Sequence, residues 1–308
     1  MKSNKKKILD IKDREEEFSK IKERIQLLNK GFRAIYADYS HHIEVRNTQL
    51  NELTNNINYR FFASLFHLEL IINHHYLVEK SIEEIYSKDP EYILRRYQPV
   101  HPLYDHYEKQ VTSLFDSLIF HLGSAFDYLS KVVYFIVNNK NESMSHWTKL
   151  NKISIPSNKS NFSKNPIAKT IVEENNCFVG KLYDYRSKVI HKRSDRNTYL
   201  ISTVLKSGKT SAKFISSGAL TNIFSGLRSK SKTHDLTVQY SSTWLINNTI
   251  DSISRILIAL KSDVESKSTF PNHVKDNDII FIQIEPGTNK GVPASTRLWN
   301  DFITHIFK

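Results

Sequence analysis

The chain has 308 residues, 39% hydrophobic and 25% charged, with a formal net charge of +12. That is a soluble globular balance, long enough for one large or two modest domains with a real core, and its basic charge favours a polyanion as partner, nucleic acid before membrane surface. Cys177 is the single cysteine, which excludes an intrachain disulfide and fits a reducing, cytoplasmic setting.

Lys2 to Lys7, followed by Asp10, Lys12, Asp13, Arg14 and Glu15, lacks the apolar core of a signal peptide. Residues 5–38 read as a charged helix with Ile8, Phe18, Ile21, Ile25 and Leu28 on its apolar side. Residues 44–87 contain neither Gly nor Pro and predict one or two long helices, since Phe61, Leu65, Leu68 and Ile72 recur at helical spacing. Lys88-Asp89-Pro90 stops this segment, and Pro99 and Pro102 mark a connector. Residues 103–139 give the clearest helical period, from Val111 and Phe115 through Leu122 and Leu129 to Ile136. The apolar run Leu118 to Val137 is broken by His121, Asp127 and Lys131, so it reads as a buried amphipathic helix rather than a membrane span. Within it, Gly123 and Ser124 are small enough to admit a neighbouring helix.

Residues 140–164 are polar and aperiodic and read as a loop. Asn165-Pro166 then predicts a helix start, an Asn cap followed by a Pro whose missing N–H costs nothing there. That helix runs through Ile167, Ile171, Phe178, Leu182 and Tyr185. Residues 198–205 and 212–215 flank Ser207-Gly208 as a hairpin, and Leu236 to Tyr240 is a third candidate strand. Helical period returns at Ile246, Ile250, Ile253, Leu257 and Leu260. Asp278 to Ile284 reads as a strand and residues 294–307 as a closing helix. The expected organisation is mainly α, with a helical segment over 1–100, a bundle over 101–265 carrying a β-hairpin insertion at about 197–240, and a strand and helix over 266–308.

The chemistry concentrates at Lys181 to Arg193. Leu182, Tyr185 and Val189 share one helix face, and Arg186 lies on it too. A guanidinium cannot shed its charge, so on an apolar face it must be paired or line a wet cleft. His191 lies five positions on, about 140° around and about 7.5 Å along an ideal helix, so convergence of the two requires His191 to sit where the helix ends. Lys181, Lys188, Lys192 and Arg193 surround the pair as candidate phosphate contacts, and the helix C-terminus suits such cations.

Arg186-x4-His191 near a helix end, preceded by the helix His121 to Leu129, resembles the Arg-x4–6-His motif of the HEPN superfamily over about residues 105–262. The resemblance implies a HEPN-like helical bundle. It also implies a metal-independent endoribonuclease of toxin or phage-defence type, acting on RNA as a homodimer, with an antitoxin or defence-system partner and no cofactor. In it Arg186 would hold the scissile phosphate and His191 would move protons. Asp127 is the candidate partner of Arg186, and Tyr185 supports the site. Ser187 stands where the family often has Asn, Asp or His, which favours an alternative, a non-catalytic module binding RNA, nucleotide or protein. Arg60 and His67, about 340° apart on one helix, are a competing pair. Two other Arg–His pairings fall in a proline-marked turn at Arg95 to His101 and in a Ser/Lys loop at Arg228 to His234. The other histidines lack the spacing of a zinc site, and there is no phosphate-binding Gly-rich loop, so no metal or nucleotide cofactor is implied. His121 reads as a hydrogen-bonded core or cleft residue, with catalysis as the rival.

Overall fold

Helical periodicity in the sequence becomes helix almost wherever it occurs. The computed structural model describes residues 6–88, 102–138, 144–192, 198–204, 209–275, 278, 282–284 and 291–308. Its elements are, in chain order, β1 (Lys7–Leu9), α1 (Arg14–His42), α2 (Thr48–Lys88), α3 (Pro102–Asn138), α4 (Trp147–Ser154), α5 (Ile167–Glu174), α6 (Gly180–Lys192), β2 (Thr198–Val204), β3 (Lys209–Ile215), α7 (Gly218–Ile223), α8 (Ser225–Ser231), β4 (His234–Leu236), α9 (Val238–Ser266), β5 (Ile282–Ile284), β6 (Gly291–Pro293) and α10 (Ser295–His305). The protein is mainly α-helical, with three two-stranded sheets among the described residues. No described helix is long and apolar enough to cross a membrane.

Local chemistry sets the boundaries. The expected helix over 5–38 begins only at Arg14, because Lys7–Leu9 pairs in parallel with His234–Leu236 and the Asp13 carboxylate then accepts the Glu16 N–H at 3.0 Å. Asn47 caps α2 in the same way, accepting from Leu50 N–H at 2.8 Å. Asn165 caps α5 as its sequence predicts, through Ile167 N–H at 2.9 Å. Caps of this kind stabilise a helix by about 1 kcal/mol. A π-helical turn, Asn175–Val179, joins α5 to α6. A Cβ on Gly180 would lie 2.8 Å from the Asn175 carbonyl oxygen, so a residue without one closes that wide turn.

Three further sequence expectations change. The loop assigned to 140–164 contains α4, which buries Trp147 and Leu150, and two 3-10 turns at Pro156–Asn158 and Phe162–Lys164. Arg228 lies on α8 rather than in a loop. The third strand is shorter and earlier than 236–240, since the Thr237 hydroxyl accepts the Tyr240 N–H at 3.2 Å and the chain is helical from Val238. The hairpin expectation holds, with Thr198 opposite Ile215 and Val204 opposite Lys209; its Ser207-Gly208 turn lies outside the described residues.

The chain forms two units, each drawn from three separate stretches. The first comprises Met1–Ser19, Ala63–His121 and Lys181–Ile246; the second comprises Lys20–Phe62, Leu122–Gly180 and Asn247–Lys308. Leu68 and Ile71 of α2, Val111, Phe115 and Leu118 of α3, Leu182 and Tyr185 of α6 and Phe214 of β3 are buried in the first unit. Phe32 of α1, Phe61 of α2, Phe126 and Leu129 of α3, Ile250 and Leu257 of α9 and Phe302 of α10 are buried in the second. Each such side chain contributes about 1.5–3 kcal/mol by leaving water. In the second unit a Cβ on Gly31 would lie 2.9 Å from the Phe302 ring, so the missing side chain is what lets α10 close on α1. Nearby, buried Asp38 accepts hydrogen bonds from the Ser295 hydroxyl and the Trp299 indole N–H.

Candidate functional site

Arg186 is positioned by the residues around it on α6. Leu182 and Tyr185 are buried, and Tyr185 meets the Phe115 ring of α3 edge-on at 6.3 Å between centroids. That anchoring sets the rotation of α6 and leaves Arg186, one residue on, half-buried at the margin. Its guanidinium carbon lies 5.0 Å from the centroid of the Phe120 ring and 5.7 Å from that of Tyr183. Contact with aromatic faces attracts the cation without neutralising it, and is worth about 0.5–2 kcal/mol. The guanidinium thus rests against ring faces on a partly exposed margin.

Phe120 leads to a row of rings within the same unit. Its neighbour His121 has its centroid 5.5 Å away, and His121 lies 5.2 Å from His67 of α2. The His67 ring is in turn 5.7 Å from Phe66. His67 Nδ1 is 2.7 Å from the Ala63 carbonyl oxygen. A carbonyl can only accept, so Nδ1 carries a proton, and in the neutral imidazole the lone pair is on Nε2. In that tautomer Nε2 is an acceptor. Three helices thereby bring one guanidinium, two imidazoles and two phenyl rings to a single stretch of surface.

The other described sequence candidates lie on α2, α3 and α6. His191 and Lys192 lie in the last turn of α6 and their side chains are outside the described residues, as is Arg193 altogether. Lys188 is exposed and Lys181 half-buried. Asp127 belongs to the second unit, where its carboxylate accepts the Trp147 N–H at 3.1 Å and caps α4. Arg60 and His67 both lie on α2, and the Arg60 guanidinium is 5.5 Å from the Tyr128 ring centroid.

Sequence reasoning missed a buried charge cluster in the first unit. Glu79, 4% exposed, accepts from Lys213 Nζ at 2.8 Å and from Arg14 at 3.3 Å. Lys213 also donates to Asp10 at 2.9 Å, and Asp10 accepts the Thr237 hydroxyl at 2.8 Å. His75 Nδ1 is 3.5 Å from the second Glu79 oxygen, and its ring is 5.2 Å from Phe214. Burial would push Asp10 up, but the bonds from Lys213 and Thr237 outweigh it and hold the carboxyl below its ordinary value. Burial would likewise lower Lys213, but Glu79 and Asp10 hold its ammonium above the ordinary value. His75 is pushed down by burial, more than Glu79 pulls it up. Two cations face two carboxylates, so the cluster is internally compensated and fastens β1 and the start of α1 to α2 and β3. Only the four-residue spacing of His75 and Glu79 was visible beforehand.

A cavity of about 360 Å³ opens beside Arg14 and Tyr76, but Glu15 and Glu69 also line it, which sets two carboxylates against any phosphate. No family model matches the chain, and no curated protein and no solved structure matches it.

Proposed function

We propose that this chain binds RNA and cleaves it without a metal, through the 2′-OH of the RNA itself, as a HEPN-like endoribonuclease. The observation that carries the reading is the half-buried Arg186 guanidinium, held by the faces of Phe120 and Tyr183 at the end of a row that includes two imidazoles, in a chain of net charge +12. RNA supplies its own nucleophile, so the protein need only stabilise phosphate charge and move protons. The planar fork of Arg186 suits the first task, because it bonds two phosphate oxygens at once. His191, in the last turn of the same helix, is the proton-transfer group that the sequence resemblance implies. A non-catalytic RNA-binding module is the second reading. It is favoured by Ser187 and by the packing of Arg186 against its own helix neighbour Tyr183.

The two readings separate on one experiment. Labelled single-stranded RNA is incubated with the protein in EDTA. Cleavage that persists there, leaves a cyclic phosphate on the 5′ fragment and stops when the target 2′-OH is replaced by hydrogen supports the first reading. Arg186→Ala should then slow cleavage about 10²–10³-fold. Tight binding with no cleavage of any RNA would leave the binding module.

A further inference from the structure

Two phenyl rings of the first unit stand partly in water, Phe66 at 50% exposed and Phe120 at 42%. Neither belongs to the buried stripe of its helix. Between them stand His67 and His121, so the rings Phe66, His67, His121 and Phe120 follow one another at 5.7, 5.2 and 5.5 Å between centroids. Arg186 closes the row, 5.0 Å from Phe120.

Resting on the RNA reading above, we infer that this row is a stacking track for unpaired bases, with Phe66 and Phe120 each taking the face of a base and Arg186 meeting a linking phosphate. The occupant follows from the chemistry. A groove for a protein helix is apolar along its floor, whereas here each exposed phenyl ring adjoins an imidazole and one adjoins a guanidinium. Two exposed ring faces with a guanidinium at the end of the row match a strand in which bases are joined through phosphates. A duplex hides its base faces within the stack, so it could meet only the guanidinium. Every base has a π face, so the track reads single-strandedness rather than sequence.

The test measures affinity of the full-length protein by fluorescence anisotropy. The probes are a labelled oligo-uridine, an abasic strand of the same length and a duplex of that length. The oligo-uridine should bind best. Phe66→Ala and Phe120→Ala should each weaken it about 5- to 150-fold, while Phe66→Tyr and Phe120→Tyr, which keep a ring, should restore most of the affinity. The same alanine variants should bind the abasic strand as the unaltered protein does, which a merely misfolded variant would not. Undiminished oligo-uridine binding by both alanine variants would overturn the track while leaving the RNA reading intact. Absence of binding to every probe at low salt would overturn both. If the alanine substitutions leave RNA binding unchanged and instead release a protein partner or a second copy, the surface is a protein interface and the inference fails.

Discussion

Arg186 is the residue on which the functional reading turns, because it is a permanent charge half-buried on the margin of an otherwise apolar helix face. Replacing it with Lys should not rescue it. An ammonium lacks the planar fork and the face that rests on Phe120, so Arg186→Lys should stay within about tenfold of Arg186→Ala in cleavage rate. Both variants should keep the far-ultraviolet circular dichroism of the parent, since Leu182 and Tyr185, not Arg186, fill the core. Loss of the fold in Arg186→Ala would recast the residue as structural. His191→Ala and His67→Ala separate the two histidine candidates, since loss of a proton-transfer group costs about 10²–10⁴-fold in rate. If His67→Ala alone abolishes cutting while His191→Ala does not, the proton-transfer role belongs to α2. The sequence singled out Arg186 because a charge interrupts a periodic face. It passed over Phe66 and Phe120, although the same argument inverted would have found them: both are aromatic and both fall outside the three–four register of their helices.

Between elements, the buried charges of the first unit make its stability depend on pH in a definite direction. His75 has its folded value pushed below its ordinary 6.5 by burial, so its contribution is present above about pH 6.5 and is lost as the pH falls toward the folded value. His74, lowered by burial as well, acts in the same sense. Asp10, held below 3.8, adds stability above that value that is lost as the pH falls through its folded value. Lys213, held above 10.5, contributes below that value and is lost as the pH rises past its folded value. Urea unfolding should therefore show a first loss of stability below about pH 6.5, and His75→Leu should flatten that step while leaving the carboxylate step near pH 4. Lys213→Met strips Glu79 of its nearest cation in a site where Glu79 is 4% exposed, and should cost about 3 kcal/mol in the same assay. In the second unit, Gly31→Ala should destabilise by about 1–3 kcal/mol. The added Cβ meets the ring of Phe302, which is 0% exposed and has little room to move.

For the whole molecule, the proposal carries consequences for charge and assembly. Each phosphate contact releases a counterion, so the logarithm of RNA affinity should fall with the logarithm of salt with a slope of about −0.7 per contact. Reversing Lys188, Lys192 and Arg193 to Glu should lower affinity for all sequences alike and reduce that slope. An unchanged slope would assign the cations at the end of α6 to solvent alone. The HEPN resemblance further implies a homodimer whose two-fold axis brings two Arg186 sites together. Light scattering should then give twice the chain mass of 35.9 kDa, and a single chain mass at micromolar concentration would make each site act alone.

The sequence by itself determined what depends on neighbours a few positions away. The long helices follow from apolar residues at intervals of three and four, the start of α5 from Asn165, and the β2–β3 hairpin from two β-rich runs around Ser207-Gly208. Arg186 stood out for the same local reason. Only the tertiary structure decided which distant residues meet. Asp10 and Lys213 are 203 residues apart and Glu79 and Lys213 are 134 apart, and no period in a chain records such a pairing. The short α4 escaped notice because its two buried apolar residues, Trp147 and Leu150, are too few to define a period. The row from Phe66 to Arg186 needed three helices to be set at particular rotations by cores that lie beneath them. A helix pattern fixes which face is buried, but what lies beside its exposed margin depends on the rotation and crossing of its neighbours, and those are set by side-chain packing across the whole core.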